Sequence, residues 1–171
     1  MSSSGAQQTV LTHSAVKGIQ SFALLSPPLL LARALIARRA PSSLGSSLRS
    51  LTLGTFVVGP AAGGLVEFGR LYWQGLTEGE LGDKAARIRA NEGQRRADDY
   101  ATIGAVLGSL IAPTLLFRRA PLPWIIGSGA SLGVAGGVLT HVAKGYSEGE
   151  DTLSPQMVKE EVKGAVGAKG K

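Results

Sequence analysis

The sequence predicts an all-α integral membrane four-helix bundle held together by glycine-rich helix–helix packing. Three observations predict it. Long stretches carry no charge, only 18% of residues are charged against 44% hydrophobic, and bulk is replaced by small residues, with 24 glycines but only 5% aromatics. A soluble core of this size would carry more aromatic and β-branched volume.

The charge-free runs cover residues 18–32, 50–66, 100–117 and 120–140. A helix crosses the hydrocarbon layer with roughly 17–25 residues, and flanking arginines extend short runs by snorkelling. The spans are therefore expected at about 18–37, 50–69, 100–117 and 121–142, inside a transmembrane domain covering 18–143. Residues 1–17 form a polar N-terminal segment with the features of a targeting sequence. The first span holds Pro27 and Pro28; in a bilayer such a pair kinks a helix rather than ending it, the alternative being a short re-entrant segment. The second span carries Pro60 and ends at Glu67, with Tyr72 and Trp73 placed for an aromatic belt. The third and fourth are joined by the short segment RRAPLP, which makes them an antiparallel hairpin with Trp124 near the interface.

Four spans put both ends of the domain on one side. The two short loops, with Arg38, Arg39 and Arg49 in one and Arg118 and Arg119 in the other, are expected to face the more negative compartment. The polar loop 70–99 holds six basic and six acidic residues. Pairs spaced i,i+4 (Glu80 with Lys84, Asp83 with Arg87, Glu92 with Arg96) predict a surface helix over residues 83–90, with Leu81, Ala85 and Ile88 as its apolar face. A solvated helical extension is the expected role. In the tail 144–171, Ser154 and Pro155 open a weakly amphipathic helix carrying Val158, Val162 and Val166.

Residues 1–66 contain no aspartate or glutamate but hold Lys17, Arg33, Arg38, Arg39 and Arg49 among many serines. That composition is typical of mitochondrial targeting segments. The formal charge of +6 is spread as clusters between apolar runs with no aromatic platform for bases, so nucleic acid is not an expected partner. The chain has no cysteine, which excludes disulfides and thiolate chemistry.

No catalytic set emerges, no metal site is expected, and no cofactor is implied. His13 and His141 have no carboxylate at metal or triad spacing. The charges placed for an interfacial or functional role are Glu67, Arg70, Arg95, Asp99 and His141. Glu67, three residues before Arg70, is expected to form a surface-level ion pair that anchors the helix end, the alternative being a proton relay with His141. GPAAGG at residues 59–64 lacks the lysine and hydroxyl of a phosphate loop.

Packing remains. Hydrocarbon supplies no hydrophobic gain for helix contact, so association depends on close backbone approach through small residues. Gly59 with Gly63, Gly104 with Gly108, Gly129 with Gly133, and Gly133 with Gly137 are GxxxG pairs inside the spans. Gly129, Gly133, Gly136, Gly137 and Thr140 are read as one face of the fourth span. It should meet a face of Ala101, Gly104, Ala105, Gly108 and Ala112 on the third.

Arg95, Asp99 and the pair Gly104 and Gly108 resemble a motif of the mitochondrial inner-membrane translocase family. That family comprises the Tim channel subunits and a relative among the accessory subunits of respiratory complex I. In this sequence the glycine pair begins slightly early, and Lys84 stands where the family has an aromatic residue. There is a broader similarity to small multipass membrane proteins of fungal mitochondria. The resemblance implies a mitochondrial inner membrane protein with other membrane subunits and the lipid bilayer as partners. The expected role is a non-catalytic accessory subunit or assembly factor of an inner-membrane complex, the alternatives being part of a transport or protein-translocation channel, or curvature shaping.

Overall fold

A computed structural model describes residues 3–36, 44–75 and 77–148. The predicted tail helix and the loop positions Arg38 and Arg39 lie outside the described residues. Every described element is helical: α1 (Ser3–Ile36), α2 (Leu44–Leu53), a π-helical turn (Gly54–Val58), α3 (Gly59–Gln74), α4 (Glu78–Ala90), α5 (Glu92–Leu116) and α6 (Leu122–Glu148). Four rods, α1, the continuous α2–α3, α5 and α6, are long and apolar enough to cross a membrane, at 25 to 31 residues each. At about 1.5 Å per residue each exceeds the ~30 Å of a hydrocarbon layer.

The first rod starts earlier than expected. Residues 3–17 are continuous with the apolar part of α1, and the helix runs on through Pro27 and Pro28. Its N-terminal half is packed: Ala6 and Val10 are buried against Ala85 of α4, with Leu71, Leu81 and Ile88 around them. The apolar face of α4 is thus used inside the molecule rather than left on a solvated extension. The start of α4 is fixed by a capping box, in which Thr77 caps Glu80 and Glu80 reaches back to Thr77. Asn91 ends α4 and caps α5 by accepting from the Gln94 backbone N–H at 3.1 Å. Gly75, at φ 54°, supplies the left-handed residue that stops α3.

Two antiparallel pairs form the body. Along α5 and α6, a Cβ added at Gly133 would collide with the carbonyl oxygen of Gly104, and one at Gly129 with that of Gly108. A Cβ at Gly137 would meet the carbonyl oxygen of Tyr100. Backbone therefore lies on backbone, as the small-residue faces predict. Gly136 is the exception: nothing lies within 4 Å of its hypothetical Cβ. It sits off the contact face assigned to it because it is about 60° from Gly133, on the side away from Gly137, at 3.6 residues per turn. Gly59 and Gly63 also find a partner, α1, where they lie against the carbonyl oxygens of Gly18 and Ser14.

These two pairs are copies of one pattern. Ala15, Gly18, Leu24, Pro27, Leu29, Leu30, Arg33 and Ala34 recur in the same spacing as Ala101, Gly104, Leu110, Pro113, Leu115, Leu116, Arg119 and Ala120. Leu48, Gly59, Ala61, Gly63, Leu65 and Tyr72 recur as Leu122, Gly133, Ala135, Gly137, Leu139 and Tyr146. The contacts agree with the alignment, since Gly18 with Gly59 matches Gly104 with Gly133, and Ser14 with Gly63 matches Tyr100 with Gly137. The chain is an internal repeat of a helical hairpin, with α4 inserted between the copies.

The copies differ one turn further on. Where the second has Gly108 against Gly129, the first has Phe22 and Thr55, too large for backbone contact. Here lies the π turn, in which the Gly59 N–H bonds the Gly54 carbonyl five residues back. Pro60 lacks an N–H and would crowd the carbonyl four residues before it, which a wider turn relieves. One inserted residue also rotates the rest of the rod by about 100°. Before and within the turn the rod meets α6, with Thr52 beside Gly127 and Thr55 bonded to Ser131; after it, the rod faces α1. A core of Ala23, Ala101, Val134 and Ala135, with Ile19, Leu24, Ala105 and Val138, joins α1 to α5 and α6.

Gly133→Ala should separate α5 from α6 and lower the detergent melting temperature, while Gly136→Ala is neutral or stabilising, because a free helical glycine gains up to about 1 kcal/mol on conversion to alanine. Thermal melts of the two purified variants check this; equal losses would contradict the facing.

Candidate functional site

The helical repeat places Thr9, His13, Lys17 and Gln20 along one side of α1. Each meets a polar group from the inserted segment or the start of α5. Arg89 Nη2 donates to Thr9 Oγ1 at 2.7 Å, and Gln94 Nε2 lies 2.7 Å from His13 Nε2. Lys17 Nζ donates to Asp98 Oδ1 at 2.8 Å and to Gln20 Oε1 at 2.9 Å, while Gln20 Nε2 donates to the same Asp98 oxygen at 2.7 Å. The result is a closed triangle of one cation, one anion and one amide, partly buried between α1 and α5.

A second ion pair lies on the α3–α4 side. Glu67, buried on α3, is bound by Lys84 of α4. Glu67 thus ties α3 to α4, a contact between elements that its spacing from the exposed Arg70 did not indicate. Lys84 reaches across to α3 instead of pairing with Glu80, whose carboxylate is engaged by Thr77. The His141 ring lies against Tyr100, with centroids 5.7 Å apart and planes tilted by 40°, and Tyr100 also accepts from Lys144 Nζ at 3.3 Å.

Arg95 and Asp99 are exposed on α5. The acid turned into the structure is Asp98, one residue before the expected one. Asp98 shares a face with Ala101 and Ala105, the residues that pack into the core, whereas Asp99 is rotated by about 100° from it. Extending the small-residue face of α5 back by one turn would have selected Asp98 and Gln94. Lys17 and Gln20 carried a similar signal, lying at helical spacing from Val10 and Leu24.

Deeper between the rods, the hydroxyls of Thr55 and Ser131 bond each other at 2.5 Å, and both residues are fully buried. Ser128 donates to the Ile125 carbonyl at 3.1 Å. Among the described residues no buried side-chain nitrogen or oxygen lacks a partner, and no three His, Asp or Glu side chains gather as a metal site. The Thr55–Ser131, Lys17–Asp98 and Glu67–Lys84 pairs each join one helical element to another.

The protein is therefore of an all-helical class built from four apolar rods, with glycine-closed pairs and a polar seam along α1. Residues 6–144 match the family described as "Protein of unknown function (DUF1757)", and the chain belongs to that family. No curated protein and no solved structure matches it.

Two outcomes are expected. Asp98→Asn should leave Lys17 partly buried without its anion and destabilise the fold by about 1–3 kcal/mol, and Lys17→Met with Asp98→Leu should cost less than the sum of the single changes in a double-mutant cycle. Glu80 has its carboxyl held below the ordinary value of 4.5 by the backbone N–H and then the hydroxyl of Thr77. Its contribution to α4 is therefore full above the ordinary carboxylate range and is lost as pH falls through the lower folded value. The protection factors of the first-turn amides of α4, corrected for intrinsic exchange, should fall on acidification in the native chain; the dependence should weaken in Thr77→Ala, which keeps the backbone N–H, and be lost in Glu80→Gln.

Proposed function

We propose that the chain is an integral membrane protein of four spans, acting without catalysis as an accessory subunit or assembly factor of a mitochondrial inner-membrane complex. The observation that carries the membrane reading is the outer surface of the rods. Leu110, Leu115 and Ile103 on α5 are 64%, 75% and 58% exposed, and Leu29, Leu31, Leu65 and Val66 stand out from the other rods. Apolar faces of this extent are at home in lipid, where the glycine contacts supply the close packing that the solvent does not drive.

The accessory role draws support from the way the polar groups are used. The seam of Lys17, Gln20 and Asp98 fastens α1 to α5, and the pair Glu67 and Lys84 fastens α4 to α3, which fixes a polar cap on one end of the bundle. Such a cap offers partner subunits a fixed surface. A transport path would need polar side chains facing an opening, and the buried hydroxyls and charges here face each other. The mitochondrial assignment rests on the acid-free, serine-rich first 66 residues and on the resemblance carried by Arg95, Asp99, Gly104 and Gly108.

Tagged protein should stay with membranes through alkaline carbonate extraction of mitochondria and migrate in a large complex on native gels in mild detergent. Migration as a monomer or small homo-oligomer would remove the accessory-subunit reading, and release by carbonate would remove the membrane reading.

A further inference from the structure

The end of the bundle away from α4 has an unbalanced charge. Neither residues 1–66 nor residues 100–147 contain an acid, so the two connections at this end, α1 to α2 and α5 to α6, carry arginine and no acid. Gly45 of α2 lies beside Ala120 and Pro121, so the start of α2 adjoins the α5–α6 connection. Arg49 places its guanidinium 5.6 Å from the centre of the Trp124 ring. Arg118 and Arg119 are exposed next to it.

Two features set Arg118 and Arg119 apart from other exposed arginines. Arg118 has φ 68°, the one non-glycine residue with positive φ among those described. Glycine or asparagine takes that conformation at less cost, so the chain places a charged side chain where its backbone is unfavourable. Arg119 is also the repeat partner of Arg33, at the end of α1. Each hairpin copy closes its first helix with proline, two leucines and then arginine.

We propose that this end binds the phosphate groups of anionic phospholipids, with Arg49, Arg118 and Arg119 as the binding residues and Trp124 at the level of the headgroups. Guanidinium groups pair with phosphodiester oxygens through two parallel hydrogen bonds. A tryptophan at the interface gives the acyl boundary an aromatic surface. The inference rests on the membrane reading proposed above.

The test uses the full chain with Trp73→Phe, leaving Trp124 as the sole tryptophan, reconstituted in vesicles containing brominated phosphatidylglycerol or brominated phosphatidylcholine at equal mole fraction. Brominated anionic lipid should quench Trp124 more strongly, with relative association higher by about five-fold for each engaged arginine. Arg49→Gln, Arg118→Gln and Arg119→Gln together should abolish the preference while leaving quenching by the neutral lipid, and the three lysine replacements, which keep the charge but lose the two-bond pairing, should keep only part of it. Arg118→Gly distinguishes binding from turn structure: thermal stability should hold or rise while the lipid preference falls. Equal quenching by the two lipids, or a preference that survives the triple glutamine variant, overturns the proposal. Relief of the preference by millimolar inorganic phosphate at constant ionic strength assigns the site to soluble anions and overturns the lipid assignment. If neither lipid quenches and the protein does not float with the vesicles, the membrane reading itself has failed.

Discussion

The contact between glycine and the opposing backbone is the constraint on which the rest depends. At Gly18 with Gly59 and at Gly104 with Gly133, no atom separates the two helices, so even a methyl group has nowhere to go. Close approach sets the depth at which every other residue works. It brings small side chains such as Ala23, Ala101 and Ala135 into a shared core, and it leaves the large leucines on the outside. A soluble bundle inverts this, putting leucine in and small residues wherever they fit.

The same constraint explains how two copies of one hairpin become an asymmetric molecule. Each copy repeats the crossing, but Phe22 and Thr55 replace the second glycine contact in the first copy. The rods part there, and the π turn reorients the second of them. Thr55 becomes available to Ser131, and α6 acquires three neighbours, α1, α2 and α5. Symmetry is retained where backbones touch and lost where side chains intervene.

Much of the architecture was legible in the sequence because its signals are local. Charge-free length marked the rods, and the α5–α6 contact followed from two small-residue faces in one short hairpin. The facing of Gly136 was misjudged because the helical position alone does not say how wide the partner's footprint is. The partner of Gly59 and Gly63 was not evident, since the matching surface on α1 is the modest pair Ser14 and Gly18. The polar seam was hidden for a different reason: Lys17 and Asp98 are separated by the whole second rod and α4, and choosing between Asp98 and Asp99 depends on a rotation of one residue. The π turn broke the helical period without leaving a compositional mark beyond Gly54, Gly59 and Pro60. The hairpin repeat was readable, but only by aligning the chain with itself.

The division between local glycine contacts and the distant seam also orders assembly. The α5–α6 hairpin can close as soon as its own short stretch of chain is made, at little loop-closure cost. The triangle of Lys17, Gln20 and Asp98 has to wait, because its anion is synthesised long after its cation. Until Asp98 arrives, α1 carries an uncompensated lysine and glutamine along the side that will become interior. The seam thus marks completion, separating a chain whose second hairpin has docked from one still exposing polar groups to whatever retains unfinished proteins.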